Sequence, residues 1–460
     1  MMHGFDNRVC AEHLAGMVRY PTVSRHYERD MDFTAFVGLR EYLEKTYPLT
    51  HRHLSREIVG TAGLLYHWRG SGKRDLPPLL LMGHQDVVPA GDETLWEFPP
   101  FAGTIARDRV WGRGASDCKS IILEHMEAIE HMLGDGFEPD FDIYLFYGYN
   151  EEVSGGENAC AKACCDLLKS RGVRLGGVID ESGGICSGSA RGVDVPVCQI
   201  TIAEKGYADF EIIRRDPGGH SKQPGKKGAL YWLAQAILAI EAHPFPYRVI
   251  PEVRTIYETL APHMTDRERG KLFADVEGNW EALLPVIDND PALAAMFHTT
   301  MVATMCRGSA AANILPEEAS ITVNCRILAG DTVASVKAYL EDILPDGMEV
   351  RLLKGTEPTP MSRTDGRLYG ILSDLWRDKY PNLLVVPDMM TGGTDARFLY
   401  PMCDEVYRFK MYDISDFPRR IHSVNESMGV EQLGGVAEML IRVLRAYGDG
   451  KNGYRTGNES

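Results

Sequence analysis

The chain has 460 residues, of which 44% are hydrophobic and 25% are charged, and its formal net charge is −16. This length exceeds one typical domain and the composition is that of an ordinary globular protein, so we expect two domains. The acidic balance argues against a general nucleic-acid binder, which needs clustered lysine and arginine residues.

Membrane spans, secretion signals and disulfides are not expected either. No apolar stretch approaches the roughly 20 residues that cross a membrane, and the N-terminus lacks the apolar segment of a secretory signal. The ten cysteines are scattered and include no Cys-x-x-Cys pair, which does not suggest a disulfide framework in a chain of this size. We therefore predict a cytoplasmic protein without membrane contacts.

The first part of the chain alternates predicted helices with predicted strands. Apolar residues at three- and four-residue spacing predict helices over residues 11–18, 33–47, 117–133 and 157–170. Short apolar runs predict strands over residues 64–68, 79–82, 141–147 and 178–179. Because this alternation is typical of α/β proteins, we predict a mostly parallel sheet flanked by helices.

The pattern changes after Val197. Residues 197–203 and 208–213 alternate like antiparallel strands, followed by predicted helices at 231–240 and 333–343 and strands at 319–327 and 348–353. Residues 244–300 form a long, less patterned insertion. From Leu368 the chain returns to helix, strand and loop, closes with a helix over 430–447, and ends in a loose tail. We predict one domain formed by residues 1–200 and 357–460, with an α+β domain, residues 201–356, inserted between its two parts.

Polar side chains that can bind metals cluster at the ends of predicted strands. They are His84, Asp86, Asp117, Glu151, Glu152, Asp180 and Glu181. In α/β sheets the carboxyl ends of the strands meet at one rim, where ligands bind. So many carboxylates would repel each other without cations, and mixed His and carboxylate ligands suit Zn²⁺, or Co²⁺ and Mn²⁺ as replacements. This predicts two metal ions that share a bridging carboxylate in a hydrolytic site.

Three motifs resemble those of the M20 metallopeptidase family: His84-Gln-Asp86-Val-Val-Pro89, Gly112-Arg-Gly-Ala-Ser-Asp117-Cys-Lys119 and Glu151-Glu152. The loop from Trp96 to Gly103, before Trp111, resembles the carboxypeptidase S / Gly-Xaa carboxypeptidase branch of that family. The resemblance runs in the family's order from His84 to His422. It departs at Cys118, where the family commonly has a second acid or methionine, and at Ser120, where glycine is usual.

The resemblance implies two Zn²⁺ ions per subunit. Their ligands would be His84, Asp117, Glu152, Asp180 and His422. Asp117 would bridge the ions, and Glu181 remains an alternative to Asp180. No local spacing singles out His422 among the 14 histidines of the chain.

The resemblance also implies the catalytic roles. Asp86 would orient His84, and Glu151 would be the general base that takes a proton from a metal-bridging water and returns it to the leaving amine. His220 resembles the lid-domain histidine that stabilises the tetrahedral oxyanion. It would act from a neighbouring subunit in a homodimer, or within a monomer whose lid is completed by residues 244–300.

Five further residues are predicted to bind the substrate: Asn313, Arg326, Gly392, Gly393 and Thr394. The first two resemble the family's carboxylate-binding pair, and the glycines resemble a loop that lines the pocket. We therefore predict a zinc-dependent hydrolase with carboxypeptidase or dipeptidase action, cleaving an amide bond next to a free carboxylate in small peptides. The alternative is an aminoacylase-like hydrolase of N-acyl amino acids, which these residues do not separate from the first.

Overall fold

The computed structural model describes residues 4–153, 159–412 and 420–449. Its helices are α1 (Asn7–Val18), α2 (Phe33–Thr46), α3 (Pro48–His53), α4 (Lys119–Gly134), α5 (Cys160–Ser170), α6 (Ala229–Ala242), α7 (Pro251–Leu260), α8 (Arg267–Phe273), α9 (Trp280–Asp288), α10 (Pro291–Phe297), α11 (Val333–Ile343), α12 (Arg367–Asp374) and α13 (Leu433–Asp449). The start predicted for α5, at Glu157, and most of the predicted loose tail lie outside the described residues.

The strands that the structure describes are β1 (Ser55–Val59), β2 (Gly63–Trp68), β3 (Leu79–His84), β4 (Thr104–Ala106), β5 (Arg109–Trp111), β6 (Ile143–Gly148), β7 (Gly177–Asp180), β8 (Gly184–Cys186), β9 (Val197–Glu204), β10 (Gly206–Arg215), β11 (Gly219–His220), β12 (Thr300–Arg307), β13 (Ile314–Leu315), β14 (Glu318–Ile327), β15 (Met348–Thr356), β16 (Leu384–Met390), β17 (Val406–Arg408) and β18 (Ser427–Gly429). The predicted helices and strands are present, with ends displaced by a few residues.

The larger of the two main sheets is mixed and has the order β1-β2-β6-β3-β7-β17-β9-β16, with β8 beside β9. The pairs β6/β3, β3/β7, β7/β17 and β9/β16 are parallel. The pairs β1/β2, β2/β6, β17/β9 and β8/β9 are antiparallel. The α/β class is confirmed. The sheet is mixed: parallel pairing runs from β6 through β3 and β7 to β17 and joins β9 to the edge strand β16.

Strand β3 shows why this centre is buried on both sides. Its residues alternate between two apolar layers: Leu79 and Leu81 pack in the cluster that contains α1, α4 and α13, whereas Leu80 and Met82 pack in the cluster that contains α5. An apolar residue is therefore needed at every position, since successive side chains point to opposite faces of a strand. Because β6, β3 and β7 are parallel, their carboxyl ends lie at the same edge of the sheet.

A second, four-stranded antiparallel sheet has the order β12-β14-β10-β15. Helices α6 and α11 cover one of its faces, where residues such as Phe210, Leu233 and Leu340 form a separate apolar cluster. The residues that alternate with Phe210 along β10, including Tyr207 and Asp209, lie on the other face. The small α+β layer thus has its own core.

Strands β9 and β10 belong to different sheets. Residues 197–203 pair in parallel with β16 and antiparallel with β8 and β17, so the antiparallel interpretation is confirmed for only part of the pairing of β9. The chain crosses between the sheets at Lys205, whose Nζ donates hydrogen bonds to the carbonyl oxygens of Ala295 and His298. The insertion that contains α7 to α10 packs its apolar residues, among them Val253 and Ile256, into the core of the large sheet. The insertion therefore packs with the large sheet and does not add a second layer to the small sheet.

Among the described residues, the structure holds no helix that combines the length and the apolar character of a membrane span.

Candidate metal centre

His84 ends β3 at the carboxyl edge of the large sheet and contacts Asp117 and Glu181, which line a cleft of about 470 Å³. Its side chain is buried, and Nδ1 lies 2.9 Å from the backbone oxygen of Asp86. This contact turns Nε2 towards two carboxylates, 3.1 Å from Glu181 Oε1 and 3.5 Å from Asp117 Oδ1. The buried Nε2 forms no hydrogen bond, as expected of a nitrogen that is a metal ligand.

Asp117 lies between two groups of metal-capable side chains. Its Oδ1 faces His84, and its Oδ2 lies 3.2 Å from His422 Nε2. His422 Nε2 is in turn 2.9 Å from Glu152 Oε2. In each group the candidate ligand atoms lie within 4.8 Å of one another, and the group that contains His84 and Glu181 also includes the sulfur of Cys118. Donors of this kind at this separation fit two divalent ions that share Asp117.

Neighbouring carboxylates perturb His422 strongly. Hydrogen bonds with Asp117 and Glu152 raise the pKa of this histidine to about 10. Without a metal ion, a proton on His422 Nε2 balances the charge of the two carboxylates. A metal ion that binds to His422 has to displace this proton.

The structure brings Glu181, and not Asp180, to His84. Both carboxylate oxygens of Asp180 accept backbone hydrogen bonds, from the N–H of Glu181 at 2.9 Å and from the N–H of Ala396 at 2.9 Å. Glu181 Oε1 faces His84, and its Oε2 lies 3.2 Å from Lys410 Nζ. Adjacent residues at the end of a strand point in opposite directions, so only one of the two acids can enter the cleft. The geometry therefore favours Glu181 over our first assignment, Asp180, as the ligand beside His84.

Asp86 holds the turn that carries the two glutamates. Its carboxylate accepts the backbone N–H of Glu151 at 3.2 Å and that of Glu152 at 3.1 Å, and its Oδ1 lies 3.4 Å from His84 Nδ1. Glu151 is buried, with Oε2 at 3.9 Å from His84 Nε2. Burial and the nearby carboxylates of Glu181, Asp395 and Glu152 raise the pKa of Glu151 well above its usual range.

Glu426, to which the sequence analysis gave no role, connects two parts of the site. Its Oε1 accepts the backbone N–H groups of Gly114, Ser116 and Asp117 at 2.9–3.1 Å, and its Oε2 accepts Nη1 of Arg113 at 2.7 Å. This fully buried carboxylate thereby ties the turn that carries Asp117 to the segment that carries His422. The only sign of Glu426 in the sequence is its position shortly after His422. Its partners near Asp117 are too far away along the chain to be predicted from residue spacing.

The predicted substrate-binding residues divide between two places. The side of the cleft facing the small sheet is lined by Arg326, Gly392, Gly393 and Thr394. Thr394 is held by Glu204 Oε1, which accepts its backbone N–H at 2.9 Å and its hydroxyl at 2.7 Å. His220 lies on β11, and Asn313 directly precedes its partner strand β13. Both residues are exposed, and neither is among the residues that line this cleft.

An α/β sheet with buried carboxylates and two histidines gathered at its carboxyl edge is the arrangement of a metal-dependent hydrolase. The model of peptidase family M20/M25/M40 matches residues 80–446, and the chain belongs to this family.

Similar proteins include carboxypeptidase S of Saccharomyces cerevisiae, which is 34% identical over 91% of this chain and 81% of that protein. The N-fatty-acyl-amino acid synthase/hydrolase PM20D1 of Mus musculus is 30% identical over 94% of this chain and 87% of that protein. A solved M20 family metallo-carboxypeptidase, Sso-CP2 from Sulfolobus solfataricus, matches with a TM-score of 0.68 at 19% identity, covering 95% of this chain and 98% of that one. The chain is therefore a hydrolase of a metallopeptidase family, and the likeness to Sso-CP2 shows the same fold.

Proposed function

We propose that the chain is a dinuclear zinc hydrolase that cleaves an amide or peptide bond next to a free carboxylate in small peptides. The observation that carries this proposal is Asp117, which lies between His84 and Glu181 on one side and His422 and Glu152 on the other. These five residues would hold the two ions, and Co²⁺ or Mn²⁺ could replace Zn²⁺ at such ligands.

When bound, the ions would supply Lewis acidity, polarising the scissile carbonyl and making water a stronger acid. Glu151 accepts the proton of the attacking water and returns it to the leaving amine. The backbone hydrogen bond to Asp86 keeps the carboxylate of Glu151 at the edge of the cleft. Arg326, opposite, offers a guanidinium to the free carboxylate of the substrate, and Gly392 and Gly393 leave room for the substrate backbone.

The names of the relatives support both peptides and N-acyl amino acids as substrates, since carboxypeptidase S and PM20D1 match almost the whole chain. We favour peptides because the chain is more similar to carboxypeptidase S. A panel of dipeptides, N-acetyl amino acids and long-chain N-acyl amino acids, each with a free and an amidated carboxyl group, tests the proposal. We expect turnover of free-carboxylate substrates, fastest with peptides. Equal turnover of the amidated compounds, or no turnover by zinc-loaded protein, would contradict it.

The ligand assignment predicts different effects for two neighbouring acids. Glu181→Gln should lower the bound metal from about two ions to about one per subunit, because an amide is a poor ligand for zinc. Asp180→Asn is the comparison variant: it loses one backbone contact, with the N–H of Glu181 or of Ala396, but removes no ligand, so it should retain more metal than Glu181→Gln. Metal content after dialysis, measured by mass spectrometry, decides between them. Loss of an ion from Asp180→Asn alone would restore the first assignment.

We also propose that two chains form a homodimer through the small α+β layer, which contains the four-stranded sheet. His220 lies on an exposed ribbon and is not among the residues that line the metal cleft. Strand β12 is an edge of the small sheet, and its Val302 and Met305 are 52% and 54% exposed. An exposed apolar edge strand is a ready pairing surface. A dimer formed there would cover these residues and would supply His220 in trans.

A further inference from the structure

Cys118 is a residue at which the chain departs from the family motif around Asp117, and its side chain is fully buried. It is the N-terminal capping residue of α4, but its thiol does not cap that helix. The sulfur lies instead against His84, the candidate metal ligand at the end of β3. It is 3.1 Å from the backbone nitrogen of His84 and 3.5 Å from the backbone oxygen. One thiol therefore accepts the N–H and donates to the carbonyl group of the same residue.

The pairing of β3 explains why its end uses such a partner. β3 pairs with β6 as far as His84, which is opposite Gly148, whereas its pairing with β7 ends at Leu81, which is opposite Ile179. The backbone groups of successive residues in a strand point to opposite sides. The N–H of Gln85 binds the carbonyl oxygen of Gly148 at 2.8 Å. The N–H and C=O of His84 therefore point away from β6, to the side where the pairing with β7 has ended.

Cys118 takes the place of a neighbouring strand at this position. His84 is buried, and buried backbone groups that lack a partner cost free energy. Gly83 lets the start of α4 come close to β3, because a Cβ atom there would lie 3.0 Å from Cγ2 of Ile121 and 3.7 Å from the sulfur of Cys118. The thiol is thus held directly against the end of the strand.

The backbone of His84 determines where its ring can point. Nδ1 lies 2.9 Å from the backbone oxygen of Asp86, and Nε2 faces Asp117 and Glu181 without a hydrogen bond. We propose that Cys118 is a positioning residue for metal binding, whose thiol fixes the backbone of His84 and so keeps Nε2 directed at the metal position. The inference rests on the proposed function and adds to its metal centre a residue that binds no ion itself.

A direct bond to a metal ion is the other role that the sulfur could have, since it lies within 4.8 Å of candidate ligand atoms of His84, Asp117 and Glu181. The hydrogen bonds favour the positioning role, because both are made with the backbone of His84. Cobalt distinguishes the two roles, since a thiolate bound to Co²⁺ absorbs strongly in the near ultraviolet. We expect the Co²⁺-loaded wild type to lack this band. A band that is present in the wild type and lost in Cys118→Ser would overturn the inference.

Serine and alanine have nearly the same size and differ in hydrogen bonding, so they isolate the two contacts of the thiol. Cys118→Ala should weaken zinc binding at one of the two sites by about 10- to 100-fold, as the loss of an outer partner of a metal ligand does. Cys118→Ser should stay within about threefold of the wild type, because a hydroxyl also accepts and donates. Competition with a chromophoric chelator measures the affinities, and thermal unfolding without metal shows whether each variant is folded.

Cys198→Ala and Cys198→Ser are the matched controls. Cys198 is also fully buried and belongs to the same apolar cluster as Cys118, but it lies within β9. Each control removes the same atoms as its counterpart at Cys118. Both should keep the wild-type zinc affinity.

Equal zinc affinity in Cys118→Ala and Cys118→Ser, at the wild-type value or below it, would overturn the inference and leave the proposed function intact. If the alanine variant does not fold, a loss of more than tenfold in folded Cys118→Ser would overturn it as well. Saturating zinc should restore the kcat of Cys118→Ala, since Glu151 is unchanged, and a kcat that stays low would also contradict the inference. Failure of the wild type to bind zinc would remove the proposed function itself.

Discussion

Glu151→Gln should lower kcat by a factor of about 10² to 10⁴ while both metal ions stay bound. Glutamine has the same shape as glutamate but cannot accept the proton of the attacking water, and the backbone N–H of this residue keeps its contact with Asp86. Steady-state kinetics together with metal content by mass spectrometry measure the two effects separately. Retention of more than a tenth of the wild-type kcat would contradict the assignment of Glu151 as the base.

The neighbouring glutamate is the matched control. Glu152 lies 2.9 Å from His422 Nε2, so Glu152→Gln should lose bound metal as well as activity, whereas Glu151→Gln should lose activity alone. If both variants lose metal to the same extent, the division into base and ligand is wrong.

The Glu151→Gln variant also tests the proposed homodimer. An equimolar mixture of Glu151→Gln and His220→Ala, unfolded and refolded together or coexpressed, should recover about a quarter of the wild-type activity, because half of the dimers are mixed and each of these has one complete site. Activity no higher than that of the separate variants would place His220 in the site of its own chain.

The part of the site that the sequence predicts best follows buried strands. The apolar run of β3 predicts a strand that is buried on both faces. His84 and Asp86 follow this run closely in the sequence. Glu151 and Glu152 follow β6 in the same way. Because the ends of parallel neighbouring strands coincide in space, local patterns alone are enough to bring these side chains together.

The choice between Asp180 and Glu181 depends on contacts that no local pattern contains. Two distant segments decide it: the N–H of Ala396 binds one oxygen of Asp180, and His84 receives Glu181. His422 is a similar case, since only the family resemblance selected it among the 14 histidines of the chain.

The sequence pattern also does not predict which strands lie beside β9. Residues 197–203 alternate in polarity as an antiparallel strand does. β9 has short antiparallel pairings with β8 and β17, but along its length it pairs in parallel with β16. Alternation reports which faces are covered and not which strand is the neighbour. The crossing at Lys205 depends on carbonyl oxygens of Ala295 and His298, about ninety residues further along the chain.

Glu426→Gln should weaken metal binding by about 10- to 100-fold, although Glu426 is not among the candidate ligands. Every contact of its carboxylate is with a donor: three backbone N–H groups around Asp117 on one oxygen, and Arg113 on the other. A glutamine must point its own N–H₂ at one of these sets. The turn that places Asp117 between the two groups then loses its anchor to the segment of His422.

The metal-free protein should be destabilised as well, by about 3 kcal/mol, because removing one partner of a buried ion pair leaves the other charge uncompensated. Chelator competition measures the affinity, and thermal unfolding in the absence of metal measures the stability. Glu431→Gln, an exposed acid of the same segment, is the control and should change neither.

A double variant separates the two contributions. With Arg113→Met added to Glu426→Gln, the amide N–H₂ no longer faces a guanidinium, while its oxygen can still accept the three backbone N–H groups. We therefore expect the pair to recover part of the lost stability and metal affinity, so that the two substitutions are not additive. Wild-type metal affinity in Glu426→Gln alone would show that the turn carrying Asp117 keeps its position without this carboxylate.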